Sequence, residues 1–81
     1  MHYVYLLQSQ KDGTFYVGST GDLKRRFYQH NQSQSTATKA KVPWKLVYYE
    51  AYGSKALALK RERALKHHGK GIAVLKKRLG F

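Results

Sequence analysis

The stretch from Phe15 to His30 carries tyrosine, arginine and histidine at spacings that suit chemistry on a phosphate. Tyr16-Val17-Gly18 is followed by a short polar turn and then by a helical pattern. In that pattern Leu23, Arg26, Phe27 and His30 recur at i, i+3, i+4 and i+7, so they share one helix face. Two of the four are apolar. An arginine among them has given up part of its hydration, and a phosphate clamp that offsets transition-state charge would justify that. His30 could share a proton or orient a water. Tyr16 could polarise a water or take its proton. Each has a plainer alternative: sheet packing for Tyr16, a helix-surface position for Arg26, and a dipole-favoured place at the helix C-terminus for His30.

Only four residues are acidic, which makes the search for a metal ligand short. Asp12 belongs to a turn, Asp22 is placed as a helix N-cap, and Glu50 lies in or at the end of a strand. Glu62 has no such local duty. It lies mid-helix beside Ala58 and Leu65. Mg²⁺ is commonly held by one or two carboxylates together with waters and phosphate, and Glu62 is the candidate for that role. The competing explanation is a surface ion pair with Lys66 at i+4.

Other candidates are weaker. His67 and His68 are adjacent and lack the i, i+4 spacing of a helical metal pair, so they read as basic helix-end residues. Trp44 reads as core. Ser19 has neither a Gly-x-Ser-x-Gly setting nor an acid–histidine chain. With no phosphate-loop or dinucleotide glycine pattern, no organic cofactor is expected.

The elements that must position these groups follow from pattern. His2 to Leu7 is aromatic and β-branched, a strand. Ser9 to Gly13 is turn chemistry, and Thr14 to Gly18 returns as a second strand. The expected register sets Tyr5 directly opposite Tyr16 on one face. Asp22 caps the helix that carries Arg26 and His30. Lys24 and Arg25 point away from its apolar side as a solvated basic face. Asn31 to Lys41 reads as a polar, mobile surface loop with Lys39 and Lys41 at its end, closed by Pro43. Trp44 to Tyr52 is a third strand. Ser54 to about His67 is a helix with Leu57, Ala58, Ala64 and Leu65 inward, punctuated by Gly69 and Gly71. Ile72 to Leu79 is a last helix with Ile72, Leu75 and Leu79 inward. The order β-β-α-β-α-α predicts one small α+β domain over residues 1–81.

Charge narrows the partner. Sixteen Lys and Arg against four Asp and Glu give a net charge of +12 over 81 residues. A surplus of that size captures polyanions, and nucleic acid is the expected partner. Lys24, Arg25, Lys39 and Lys41 are the expected contacts. The absence of cysteine excludes a disulfide framework and a Cys-based zinc site. The apolar runs are too short to span a bilayer, and no signal-peptide core is visible, so a soluble cytoplasmic protein is expected.

The pair Tyr3-Val4-Tyr5 and Tyr16-Val17-Gly18, followed by Arg26, His30 and later Glu62 in Lys60-Arg61-Glu62-Arg63-Ala64-Leu65-Lys66, resembles the GIY-YIG nuclease superfamily. The similarity covers nearly the whole chain and is greatest to short, single-domain bacterial-type members. It implies a three-stranded antiparallel sheet flanked by helices and metal-dependent hydrolysis of a DNA phosphodiester. Tyr16 would be the general base, with Tyr5 orienting the water or a phosphate. Arg26 would stabilise the phosphate with His30 in support. Glu62 would hold one Mg²⁺ or Mn²⁺. Tyr3 stands where the family usually has glycine, Val4 and Val17 replace isoleucine, and the asparagine that often closes the pattern has no clear match. From the residues alone, the proton acceptor stays open among Tyr5, Tyr16 and a water held by the metal.

Three readings follow. The first is a DNA endonuclease, acting on branched or flapped DNA in repair, recombination or mobile-element biology. The second is a nucleic-acid-binding module of the same fold that cuts nothing. The third is a basic structural protein of the ribosome, which leaves the placement of Glu62, Arg26 and His30 unexplained. The sequence does not fix the oligomeric state.

Overall fold

A computed structural model describes residues 1–67 and 70–81. The elements are β1 (His2–Ser9), β2 (Phe15–Thr20), α1 (Leu23–Asn31), β3 (Trp44–Tyr52), α2 (Lys55–Lys66) and α3 (Lys70–Arg78), with a 3-10 turn at Lys39–Lys41. This is the expected β-β-α-β-α-α order. The strands form one antiparallel sheet in the order β2-β1-β3. The expected punctuation at Gly69 and the helix-end reading of His68 lie outside the described residues, whereas Gly71 falls within α3 and does not interrupt it. Among the described residues, no helix is long and apolar enough to cross a membrane.

β1 takes the centre because its middle is apolar on both sides of the pleat. Val4 and Leu6 face one way, Tyr5 and Leu7 the other, and all four are buried. A strand buried on both faces needs cover on both. On one side Ala58 and Leu65 of α2 and Leu75 of α3 pack with Val4, Leu6 and Val17. On the other, Leu23 and Phe27 of α1 pack with Tyr5, Leu7 and Trp44. Asp22 caps α1 by accepting from the Arg25 backbone N–H at 3.1 Å, and Ser54 caps α2 through the Leu57 N–H at 3.2 Å.

Three sequence expectations need correction. The first is the hairpin register. Tyr5 pairs with Gly18 and Tyr16 pairs with Leu7, a shift of two residues along β2. The two tyrosines still share a face, because a two-residue shift preserves the alternation. The cause lies in the turn. Ser9 Oγ accepts the backbone N–H groups of Lys11 and Asp12, and the Ser9 N–H donates to the Thr14 carbonyl at 2.8 Å. Ser9 to Thr14 is thereby closed as a six-residue unit.

The second correction concerns residues 31–41, which form a packed strap rather than a loose loop. Thr38 and Ser35 are buried within it. Asn31 clamps the start of β3, its Nδ2 donating to the Trp44 carbonyl and its Oδ1 accepting from the Trp44 N–H. Lys41 Nζ sits 3.3 Å from Asp12 Oδ2, and Ser9 Oγ donates to the Lys41 carbonyl at 2.7 Å. The strap is polar because its packing is built from hydrogen bonds rather than apolar contact.

The third correction is the inner face of α2. Leu57 is 54% exposed, and Ala64 is exposed as well. The inward stripe is Ala58, Arg61, Glu62 and Leu65, spaced i, i+3, i+4 and i+7. Its two charged members turn inward because the sheet supplies partners. Arg61 Nε donates to Glu50 Oε1 at 2.9 Å, and Glu62 meets Ser19. Beyond it α3 crosses close to α2: a Cβ on Gly71 would lie 2.7 Å from the Ala64 carbonyl oxygen and 2.8 Å from Leu65 Cα.

Candidate active site

The pairing of Tyr5 with Gly18 shapes one side of the site. The Tyr5 ring lies across Gly18, where a Cβ would collide with the ring and its hydroxyl. The missing side chain lets the ring lie flat against β2 and carry its hydroxyl to α1. There Tyr5 Oη is 2.9 Å from His30 Nε2. The other ring nitrogen, Nδ1, is 2.7 Å from Thr38 Oγ1. Thr38 is itself held by its carbonyl, which accepts from Trp44 Nε1 at 2.9 Å. Tyr5, His30 and Thr38 thus form a buried polar chain with both imidazole nitrogens engaged.

Burial sets the protonation of this chain. His30 is fully buried, and desolvation, assisted by the nearby Arg26 charge, lowers its pKa to about 4. Burial pushes the Tyr5 phenol up to about 12, with Arg26 pulling in the opposite direction. At neutral pH His30 is therefore a neutral ring and Tyr5 a neutral phenol. His30 has no access to solvent, and its two ring nitrogens meet Tyr5 and Thr38. Arg26, half-buried, donates from Nη1 to Gln29 Oε1 at 3.2 Å.

Tyr16 lies beside this chain, its ring 5.2 Å from His30 in an edge-to-face arrangement and 6.2 Å from Trp44. It remains partly exposed. β2 is an outer strand of the sheet, so groups from the α2 side reach Tyr16 around its margin. Lys66 Nζ is 5.8 Å from the Tyr16 ring centroid. The same ammonium is 2.7 Å from Glu62 Oε2, while Ser19 Oγ donates to Glu62 Oε1 at 2.7 Å. Burial would raise the Glu62 pKa, but the hydrogen bonds from Lys66 and Ser19 outweigh it and hold the carboxyl below its ordinary value. The Glu62 charge works to raise the Tyr5 pKa, and the Arg26 charge works to lower it.

The structure therefore brings Tyr5, Tyr16, Arg26, His30 and Glu62 into one neighbourhood. It leaves Lys24 and Arg25 exposed on α1 and Lys39 exposed on the strap. Lys41 is partly committed to Asp12 and Thr14. Three further residues belong to the neighbourhood. Lys66 was signalled by its i+4 spacing from Glu62. Ser19 could be placed only by knowing the register. Thr38 had no signal, because a buried threonine in a polar stretch looks like any other.

No group of three or more His, Cys, Asp or Glu side chains gathers among the described residues in a way that would hold a metal. The donors present are one ionised carboxylate and one hydroxyl, both hard oxygens. They fit a Mg²⁺-type ion, which takes few protein ligands and completes its shell with water and phosphate. The Lys66 side chain, 50% exposed, is free to swing from Oε2.

The family model of the GIY-YIG catalytic domain matches residues 1–73. The chain belongs to the GIY-YIG family. It is 41% identical over 66 residues to a UPF0213 protein of Staphylococcus saprophyticus, covering 80% of this chain and 79% of that one. It is 43% identical over 65 residues to a UPF0213 protein of Streptococcus agalactiae, covering 79% and 73%. The solution NMR structure of a UPF0213 protein from Bacillus halodurans superposes with a TM-score of 0.59 at 32% identity, over 98% of this chain and 84% of that one. The two tyrosine motifs of this GIY-YIG domain are β1 and β2, and Arg26 with His30 belongs to the helix that follows.

Proposed function

We propose that this GIY-YIG domain is a divalent-metal-dependent DNA endonuclease that hydrolyses one phosphodiester bond. The observation that carries the reading is the meeting of Glu62, from a distant helix, with Ser19 of β2 beside the two tyrosines and Arg26. A carboxylate, a guanidinium and phenols around one opening suit a single backbone phosphate.

Arg26 holds the phosphate and offsets the charge that builds on its oxygens. Water attacks phosphorus, its proton passes to the phenolate form of Tyr16, and the bond from phosphorus to one sugar oxygen breaks, that oxygen taking a proton from solvent. Tyr16 is favoured over Tyr5 as acceptor on two grounds. Tyr5 keeps its proton up to about pH 12, and its hydroxyl is bonded to His30. Tyr16 is partly exposed and has the Lys66 ammonium near its ring. Tyr5 orients the water or the phosphate, and His30 fixes Tyr5. Glu62 would hold Mg²⁺ or Mn²⁺, which when bound supplies positive charge to the departing oxygen. Lys24, Arg25 and Lys39 meet the flanking DNA backbone, with a smaller share from Lys41.

The test is nicking of duplex, branched and flapped DNA with Mg²⁺ or Mn²⁺. Activity is expected from the native chain, with a loss of at least 100-fold in Glu62→Ala and Arg26→Ala, the scale of removing one such transition-state contact. Activity that survives both substitutions, or none on the whole panel, would overturn the reading. One observation favours a second reading, a binding module that cuts nothing: both Glu62 oxygens are already occupied, by Ser19 and Lys66. That reading predicts salt-sensitive binding unchanged by added metal.

A further inference from the structure

A cavity of about 510 Å³ is lined by none of the five residues of the candidate site. It opens next to them on the α1 face of the sheet. Its walls include Tyr3 of β1, Leu46 and Tyr49 of β3, and Leu23, Lys24 and Phe27 of α1. Tyr5 separates the two openings: it lies two residues beyond Tyr3 on β1 and pairs directly with Tyr49. Arg26 likewise sits between Leu23 and His30 on the shared face of α1. The cavity therefore shares the sheet face of Tyr5 and the helix of Arg26.

The wall chemistry is that of a base platform. Tyr3 and Tyr49 meet edge to face, with ring centroids 6.1 Å apart at 66°. Tyr49 is 54% exposed and belongs to neither core cluster. Lys24 is exposed at the wall, where an ammonium can meet the phosphate of the same nucleotide. The volume lies in the range of about 300–1,000 Å³ typical of small-ligand sites. An aromatic wall with a cation at its edge, on a chain of net charge +12, matches a nucleotide in both its parts.

We propose that this cavity receives one unstacked base of a DNA strand, with Tyr49 and Tyr3 as the stacking surface and Lys24 on the adjoining phosphate. The inference rests on the nuclease reading only for the position of the scissile phosphate. A base held here has left its duplex stack, so the site favours DNA that offers an unpaired nucleotide next to the bond addressed. Selection then comes from the domain itself, through the state of the base and not its sequence.

The experiment is binding of fluorescein-labelled oligonucleotides without metal and with EDTA, so that no cleavage contributes. The probes are a single-stranded dodecamer, the same strand with abasic residues at its centre, and its blunt duplex. The native chain is expected to bind the intact single strand about tenfold more tightly than the abasic one. Tyr49→Ala should remove that difference, Tyr49→Phe should keep it, and neither should change duplex affinity. Because Tyr49 is mostly exposed, the alanine chain should fold, and an unchanged circular dichroism spectrum checks this. Equal affinity for intact and abasic strands, or a Tyr49→Ala loss of the same size on the duplex, overturns the proposal. Such a result leaves the nuclease reading to stand or fall on the Glu62 and Arg26 assay.

Discussion

His30 is the side chain whose environment departs furthest from that of a free imidazole, and its consequence is a pH-dependent stability. Its pKa is about 4 in the folded chain against an ordinary 6.5. Between those values the unfolded chain binds a proton that the folded chain refuses. The stability gained by keeping the ring neutral is therefore complete above pH 6.5 and is lost as pH falls toward 4. The loss amounts to about 3 kcal/mol at most. Urea unfolding at pH 7 and pH 4.5 should show this decline, and a His30→Gln chain should show a flatter profile over the same window. Thr38 tests the same chain of bonds from its far end. Thr38→Val leaves Nδ1 of a buried ring without a partner and should cost about 1–3 kcal/mol, whereas Thr38→Ser should keep most of the stability. Equal unfolding midpoints for the two substitutions would show that the hydroxyl is not what holds His30. None of this was legible beforehand. His30 was visible as a polar member of an apolar stripe, but its partner lies in residues 31–41, whose composition gives no sign of burial.

At the scale of elements, what could be read from the chain was whatever is decided locally. Strands β1, β2 and β3, the Asp22 cap and the stripe on α1 all depend on neighbours a few residues away. The hairpin register is local too, but it hangs on one serine hydroxyl folding back onto two amides, which the residue types do not announce. The inner face of α2 depends on two strands supplying Glu50 and Ser19 to Arg61 and Glu62. Ranking by hydrophobicity therefore favoured Leu57 and Ala64, which face solvent. The α2–α3 junction makes a testable case of opposed effects. Helix propensity alone would reward Gly71→Ala by about 1 kcal/mol. The added Cβ would press on backbone atoms of Ala64 and Leu65, which cannot swing aside, and such overpacking costs about 1–3 kcal/mol. The substitution should therefore destabilise the fold. It should speed amide exchange in α3 while leaving the sheet protected. Slower exchange in α3 would mean that the two helices separate cheaply.

For the whole molecule, the net charge of +12 was the plainest message of the sequence, and it governs how DNA would be met. If Lys24 and Lys39 each neutralise one phosphate, replacing either with alanine should reduce the slope of log affinity against log salt by about 0.9. Lys41→Ala should reduce it by less, since that ammonium already faces Asp12. Titrations between 50 and 200 mM salt would separate the three. Equal slopes for all variants would place the DNA on another face.

The five candidate residues approach from two sides of the sheet and meet around β2, whose outer margin pairs with no other strand among the described residues. A peptide segment that zipped onto that margin would run alongside Tyr16, whose ring has the Lys66 ammonium 5.8 Å from its centroid. On the nuclease reading, sheet extension there would compete with the substrate for the same margin.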